Sequence, residues 1–217
     1  MPGAGRPAER HPVPWWAVVS SGAAPVLLIG GWTAAASRQV GFDPVAETIS
    51  ALAALDATDR WVMTTGLAGL GVAHVVTALG LRPLAVPGRA VLAVGGAATV
   101  LVAAYPLPAG GGSSAAHTAA AALAFGALSV WPALAWRRGG LEPPPARAAV
   151  GLGAAAVLTG LLGWFGAELA LDDGRVGLAE RVTAGAQALW PLTAVLLSRR
   201  GSAGWRPTRR RARRQRR

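Results

Sequence analysis

The sequence predicts an all-α integral membrane protein: a compact bundle of six transmembrane helices, with one short interfacial amphipathic helix between the first two. Composition supports this class, because 53% of the 217 residues are hydrophobic and 14% are charged, with a mean hydropathy of +0.41. That leaves too little polar surface for a soluble domain of this size. The uncharged residues also fall in runs long enough to cross a bilayer, separated by segments that carry the charges.

The first span is predicted over residues 13–36, an uncharged run. It follows residues 1–12, which we expect to form a disordered cytoplasmic N-terminus. A cleaved signal peptide is the alternative, since Ala34 to Ala36 resembles a small-residue cleavage site. The apolar run is longer than the roughly 7–15 residues of a typical signal-peptide core, which favours a retained span.

The interfacial helix is predicted over residues 44–55. Asp43 followed by Pro44 is a helix start signal, because the aspartate oxygen can cap the helix and proline loses no bond at the first helical position. Glu47 and Ser50 would lie on a polar face. The opposite face would be apolar, with residues at helical spacing: Val45, Ile49, Leu52 and Leu55. About three turns with this pattern are expected to lie flat on the extracytoplasmic membrane surface.

Five further spans are predicted beyond the interfacial helix. Residues 90–136 contain no Arg, Asp or Glu, and this run is about twice as long as one spanning helix needs. It must therefore turn back, and we place the turn at residues 106–114, whose two prolines and three glycines cannot continue a helix. The five spans are then about residues 60–81, 90–105, 115–136, 148–167 and 178–198.

Small residues in two of the spans predict close contacts between helices. Because lipid supplies no hydrophobic drive for helix association, small side chains that let backbones approach are favoured at such contacts. Gly69, Ala73 and Thr77 form one ladder in the second span. The fifth span contains a crowd of glycines, namely Gly151, Gly153, Gly160, Gly163 and Gly166.

The placement of arginine predicts the orientation. All 21 basic residues are arginine; with both termini cytoplasmic, 17 lie inside and four outside, whereas eight of the ten acidic residues lie outside. This is the positive-inside pattern. The absence of lysine, together with abundant alanine and glycine, suggests a GC-rich genome. We therefore expect a multi-pass protein of the bacterial plasma membrane with both termini in the cytoplasm.

The C-terminal tail, residues 199–217, is expected to be cytoplasmic. Eight of the twelve residues from Arg206 to Arg217 are arginine, which is too much charge for independent folding. Anionic lipids of the inner leaflet would attract this tail by about 1 kcal/mol per arginine near the surface. Nucleic acid would bind it only without specificity. A purely topological role for the tail is the alternative.

A cluster of polar residues is predicted at the outer ends of the helices, where it would form a binding site: Glu47, Ser50, His117, Glu168, Glu180 and Arg181. Carboxylate, hydroxyl, imidazole and guanidinium groups at one interface suit a lipid head group or a hydrolytic reaction. The candidates for acid–base catalysis are His117, Glu47 and Glu180. The alternative is that both glutamates stabilise first helical turns and that Arg181 pairs with one of them.

His74 lies about 13 residues into the second span, roughly 20 Å below the outer surface. An ionisable group at that depth suggests a proton relay. A neutral histidine hydrogen-bonded to a neighbouring helix is the alternative. A metal shared with His117 is excluded, because a vertical gap of about 15 Å is too wide for two ligands about 2 Å from one ion. The chain has no cysteine, phosphate-binding loop or zinc-protease motif, so no metal or cofactor is expected.

Four segments in this order resemble one known family: FDPVAETISALAALDATDRWVM, GLGVAHVVTALGL, PLPAGGGSSAAHTAAA and LAERVTAGAQALWPL. They are similar to the bacterial multi-pass proteins grouped as the domain-of-unknown-function family numbered 998, over roughly residues 13–198. The resemblance implies a compact six-helix integral membrane protein without an assigned activity. Ala51 departs from the family pattern, in which an acid often follows the Ile-Ser pair, so we expect no carboxylate role there.

Three hypotheses for function remain open. The first is a non-enzymatic membrane protein that interacts with lipid or a partner protein at the outer face. The second is an intramembrane enzyme that acts on a lipid or envelope substrate at the outer leaflet, with His117 and either Glu47 or Glu180 as acid–base groups. The third is a small proton-coupled transporter with His74 as relay. Nothing in the sequence identifies a substrate.

Overall fold

The structure is a computed structural model that describes residues 12–138, 142–171 and 173–203, with backbone alone for residues 201–203. These ranges contain six α-helices and no strand, which confirms the all-α class. The helices are α1 (Trp15–Ala36), α2 (Trp61–Gly80), α3 (Val86–Ala104), α4 (Ala115–Val130), α5 (Ala148–Leu171) and α6 (Val176–Ala203). The N-terminal segment before residue 12 and the tail beyond Ala203 lie outside the described residues.

Five helical segments are long and apolar enough to cross a bilayer, so the protein is embedded in a membrane by several helices. α6 is the longest helix, with 28 residues, but it is less apolar because it contains Arg181, Gln187 and two terminal arginines. The five candidate spans are Trp15–Ala36, Trp61–Gly80, Val86–Ala104, Ala115–Leu134 and Ala148–Leu171. Each overlaps one of the first five predicted spans.

The largest difference in span bounds concerns α4, which was expected to reach residue 136 but ends at Val130. A 3-10 turn, Trp131–Leu134, follows it. Pro132 explains this end, because its ring clashes with the preceding turn and it has no N–H to continue the helix. α6 extends five residues past the predicted end at residue 198, so the predicted tail begins as helix.

The six helices form a ring. Each helix packs beside the next along the chain, and α6 packs against α1 and closes the ring. Contacts are most extensive from α1 to α4 and weaker where α5 meets its two neighbours. Among the five candidate spans α2 is the most buried and α5 the least.

Glycines allow α2 to approach both neighbouring helices closely. A β-carbon on Gly80 would lie 2.3 Å from the β-carbon of Ala17, and one on Gly71 would lie 2.5 Å from the Gly96 carbonyl oxygen. The predicted small-residue ladder contributes to the α1 contact, where the hydroxyls of Thr77 and Ser20 lie 2.9 Å apart. Small residues thus bring α1, α2 and α3 together as expected in lipid.

The predicted close contact with a neighbouring helix is wrong for four of the five glycines of α5. A β-carbon on Gly151 would lie 2.4 Å from the carbonyl oxygen of Pro132, which is a true close contact. At the other four a β-carbon would meet no atom within 4 Å: Gly153, Gly160, Gly163 and Gly166. α5 packs through a different face, which buries Ala155, Leu158 and Phe165.

The predicted amphipathic helix over residues 44–55 is also wrong. The segment forms a turn at residues 44–46 and a 3-10 turn at Ser50–Ala53, with no α-helix between them. The start signal does form locally, since the Asp43 side chain accepts the Val45 N–H at 2.8 Å and the Glu47 side chain accepts the Asp43 N–H at 2.8 Å. The helix does not continue because the next carbonyl oxygens bond to α6.

Residues 37–60, here called the cap segment, cover one end of the ring, here called the cap end. Gln39 and Thr58 tie its two ends together through hydrogen bonds of 2.8 and 3.0 Å. It also contacts the α3–α4 loop, where the Leu55 N–H donates to the Leu107 carbonyl oxygen at 3.1 Å and the Gly110 N–H donates to Asp56 at 2.8 Å. The cap segment is therefore a fixed lid on the bundle rather than a separate surface element.

Candidate functional site

The site is built where the cap segment meets the first turns of α6. Gly177 makes this contact possible, because a β-carbon there would lie only 2.1 Å from the Glu47 carbonyl oxygen. The next N–H, that of Leu178, donates to the Val45 carbonyl oxygen at 2.9 Å. The first N–H groups of a helix have no partner inside the helix, so the cap segment supplies one.

Arg181 strengthens the same contact from one turn further along α6. Its Nη1 donates to the carbonyl oxygens of Pro44 at 2.8 Å and Glu47 at 2.7 Å. Its guanidinium carbon lies 5.5 Å from the ring centroid of Phe42 and 6.0 Å from that of Trp32, within range of cation–π attraction. In the described part of the chain Arg181 has no carboxylate oxygen within 4 Å, so the alternative in which it pairs with Glu47 or Glu180 does not hold.

Glu180 faces the opposite way, into the bundle. Only 4% of its surface is exposed, and its Oε2 accepts the N–H of Ile49 in the cap segment. Its other oxygen, Oε1, has no hydrogen-bond partner among the residues that the structure describes. A carboxylate with unused lone pairs is costly to bury, so this group has capacity to bind a ligand.

A cavity of about 600 Å³, here called the cap cavity, lies at the cap end between α4, α5 and the cap segment. Its walls are largely apolar, with Leu107, Ala121, Ala122, Phe125, Leu162, Phe165 and Leu169. Its polar lining residues are Thr48, Ser50, Ser113, His117, Thr118 and Glu180. The cavity thus offers one continuous apolar surface and a group of polar side chains that converge on it.

His117 is held in one orientation in the first turn of α4. The Ser114 hydroxyl caps this helix and accepts the His117 N–H at 3.2 Å. The ring Nδ1 lies 2.8 Å from the Tyr105 carbonyl oxygen. Since a carbonyl oxygen can only accept, Nδ1 carries the proton, and Nε2 keeps a lone pair in a residue that lines the cap cavity.

A second, smaller cavity of about 50 Å³, here called the inner cavity, lies in the centre of the ring. This volume is sufficient for water. Residues of the cap segment and of every helix except α5 line it, and its polar lining residues are Ser50, His74, Thr99, Glu180 and Gln187. Four residues line both cavities, namely Ser50, Ala121, Phe125 and Glu180, so the two cavities adjoin at these residues, here called the junction.

His74 is fully buried beside the inner cavity, and neither of its ring nitrogens has a hydrogen-bond partner in the described structure. The expected bond to a neighbouring helix is therefore not formed. Two neighbouring polar groups are already engaged: Gln187 donates to the Phe125 carbonyl oxygen at 3.0 Å and to Ser129 at 2.9 Å, and Thr99 donates to the Gly95 carbonyl oxygen at 2.8 Å. His117 lines the other cavity, so the two histidines do not share a site.

The structure separates the six predicted site residues into two groups. Ser50, His117 and Glu180 line the cap cavity together. The other three line neither cavity: Glu47 belongs to the cap segment, Arg181 binds it, and Glu168 lies on α5.

Glu168 also lies outside both cavities, although only 5% of it is exposed. Its Oε1 accepts the Trp164 indole N–H at 2.9 Å and lies 3.7 Å from Arg175. These partners belong to α5 and the turn after it. Glu168 therefore resembles a structural carboxylate more than a member of the predicted cluster.

Three residues of the site were not predicted, namely Phe125, Phe165 and Gly177. Phe125 and Phe165, whose ring centroids are 5.2 Å apart, both line the cap cavity, but each lies in an apolar span, where a phenylalanine is not distinctive. Gly177 was not singled out, although a glycine in the first turn of a helix is a signal for close backbone approach. Gln187 joins α6 to α4 by donating to the Phe125 carbonyl oxygen.

The comparisons with known proteins give a family and nothing finer. A family model described as "Protein of unknown function (DUF998)" matches residues 22–197, which is most of the chain. No curated protein and no solved structure matches this chain.

Proposed function

The chain belongs to the DUF998 family of proteins of unknown function, and from its own geometry we propose that it is a non-enzymatic membrane protein that binds an amphipathic lipid in the cap cavity. The observation that carries this proposal is a cavity of about 600 Å³ with apolar walls and a convergent polar group. Sites for small ligands have volumes of about 300–1,000 Å³ and this mixed lining. An acyl chain would contact the apolar wall, and its head group would lie near Ser50, His117 and Glu180.

The proposal includes the topology. Six crossings with both termini cytoplasmic would place the cap end outside a bacterial plasma membrane. α6 is long enough for a crossing, since 28 residues at 1.5 Å each give about 42 Å. The arginines of the α2–α3 and α4–α5 connections support this orientation by the positive-inside rule. The tail from Arg206 to Arg217 would then face anionic lipids of the inner leaflet.

Lipid identification on the purified full-length protein tests the binding proposal. Protein purified in dodecyl maltoside should retain a defined lipid, detected by mass spectrometry. His117→Ala and Ser50→Ala should each retain several-fold less of it, because both side chains line the cap cavity. Ser37→Ala is the matched control, since that serine is exposed and bonds only within the end of α1.

All variants should elute as folded protein with similar melting temperatures. Equal lipid retention by the wild type and both cavity variants would contradict a site in the cap cavity.

The second candidate is an intramembrane enzyme that acts on the bound lipid. The orientation of His117 favours it, because a fixed Nδ1–H and a free Nε2 lone pair suit a general base. Glu180 lines the same cavity, whereas Glu47 does not, so the acid–base pair would be His117 and Glu180. Turnover of the retained lipid by wild type, absent in His117→Ala, is the expected result for an enzyme; an unchanged lipid after long incubation argues against it.

A proton-coupled transporter with His74 as relay is a weaker candidate. The inner cavity reaches His74 from the cap end, but away from that end it is bounded by Leu128. Leu128 belongs to a buried apolar cluster around Trp131. A proton flux that His74→Ala abolishes in proteoliposomes is the result this candidate requires.

A further inference from the structure

We propose that the head group bound at the junction of the two cavities is a cationic ammonium group rather than a phosphate or a carboxylate. This inference rests on the proposed function and specifies its ligand: an amphiphile whose apolar chain occupies the cap cavity. The junction is formed by the four residues common to both cavities. Three of them matter for the argument, namely Ser50, Phe125 and Glu180.

The charges that line the cavities favour a cation. The ionisable residues lining them are Glu180, His74 and His117, and no arginine lines either cavity. Arg181 follows Glu180 in the chain, but its Nη1 is bonded to carbonyl oxygens of the cap segment. An anionic head group would meet the buried carboxylate of Glu180 with no arginine among the lining residues, which is unfavourable in a medium of low dielectric constant.

The hydrogen-bonding groups that line the two cavities favour a head group that donates hydrogen bonds. Glu180 offers Oε1, and His117 offers the lone pair on Nε2, because its proton is on the other nitrogen. In the inner cavity the donor groups of Gln187 and Thr99 are already bonded to protein, which leaves their oxygens as acceptors. Ser50 can donate or accept. A head group with several N–H donors therefore matches the available acceptors better than a phosphate.

The aromatic residues add a third argument. Phe125 lines both cavities, as Glu180 does, and Phe165 lies against Phe125 with ring centroids 5.2 Å apart. The face of an aromatic ring attracts ammonium groups within about 6 Å of its centroid. A carboxylate beside aromatic rings in an apolar cavity is a suitable environment for an ammonium ion.

Matched dodecyl amphiphiles test the inference on full-length protein in dodecyl maltoside, an uncharged detergent without an ammonium group. Dodecylammonium, dodecyl alcohol and dodecyl phosphate differ only in the head group, and native mass spectrometry measures the one-to-one complex with each. We expect dodecylammonium to bind at least about tenfold more tightly than the other two, the order of effect expected for a buried charge pair. Equal or tighter binding of the phosphate would overturn the inference.

Two buried glutamates provide a matched pair of variants. Glu180→Gln removes the charge at the junction but keeps a carbonyl oxygen for the Ile49 N–H, and it should abolish the preference for ammonium. Glu168→Gln changes a carboxylate that lines neither cavity and should leave the preference unchanged. If Glu180→Gln does not fold, the inference is tested instead by the binding of the three amphiphiles to Ser50→Ala and by their order of affinity for the wild type.

Two sources of the ammonium group can be distinguished by adding phosphatidylethanolamine and phosphatidylglycerol with identical acyl chains. Preferential binding of phosphatidylethanolamine indicates a lipid head group, and binding of dodecylammonium alone indicates a free amphiphilic amine; both support the inference. Equal binding of all three dodecyl compounds overturns the inference but leaves lipid binding intact. If none of the amphiphiles binds, the proposed function fails as well.

Discussion

Gly177→Ala tests whether the contact between the cap segment and α6 stabilises the site. A β-carbon at this position would lie 2.1 Å from the Glu47 carbonyl oxygen, 2.7 Å from its carbon and 2.8 Å from the Pro44 oxygen. All three atoms belong to the backbone, so no side chain can rotate away. The cap segment must retreat by about 1.3 Å to reach an ordinary contact of 3.4 Å.

The hydrogen bonds at this contact set the expected magnitude. The Leu178 N–H bond to Val45 contributes about 1 kcal/mol, and the Arg181 bonds to the cap segment, which share one guanidinium nitrogen, contribute about 2 kcal/mol as charged hydrogen bonds. We therefore expect Gly177→Ala to lower the free energy of unfolding by about 3 kcal/mol. Ser50 should also shift, because it lies in the displaced segment.

Two assays on purified protein measure these effects. Thermal unfolding in dodecyl maltoside should show a lower melting temperature for Gly177→Ala. The chain has no cysteine, so a single Thr48→Cys substitution in the cap segment can report accessibility, and maleimide should label it faster in the Gly177→Ala background. Gly163→Ala is the control, because a β-carbon there has nothing within 4 Å. Wild-type stability and labelling rate in Gly177→Ala would refute the proposed contact.

The remaining predictions concern the bundle core and the orientation. His74→Leu should keep or raise the melting temperature, because it removes buried nitrogens without partners, each costing about 1–3 kcal/mol; a clear drop would mean that His74 binds something. Gly71→Leu should lower the melting temperature strongly, since its β-carbon would lie 2.5 Å from a carbonyl oxygen of α3, whereas Gly153→Ala should be neutral. In intact cells an impermeant maleimide should label Thr58→Cys but not Arg82→Cys; the reverse result would invert the topology.

Local signals in the sequence were informative where a segment could satisfy them by itself. The Asp43 side chain accepts the Val45 N–H, as expected of a residue at a helix start, and the Glu47 side chain accepts the Asp43 N–H. The predicted turn at residues 106–114 ends where α4 begins, and three glycines with positive φ angles of 76°, 91° and 86° lie in it, as a chain reversal requires. These features depend on residues a few positions apart, which is why they could be predicted.

The conformation of the cap segment could not be predicted, because it depends on residues more than 130 positions away. Its carbonyl oxygens would have accepted bonds within a helix, but α6 offers the Leu178 N–H and the Arg181 guanidinium, and these bonds form instead. The same limit applies to the site: Glu47 and Glu180 looked equivalent in the sequence, yet only Glu180 lines the cap cavity.

The sequence alone determined that this is an all-α protein with several membrane-spanning helices. The reason is that a long uncharged run crosses a bilayer most readily as a helix, which pairs its own backbone N–H and carbonyl groups. It also predicted Ser50, His117 and Glu180 as members of a polar binding site. Only the tertiary structure decided that these three share a cavity and that the cap segment binds α6. The physical reason is that a cavity is defined by how distant segments pack, and helical periodicity carries no information about which segment is the neighbour.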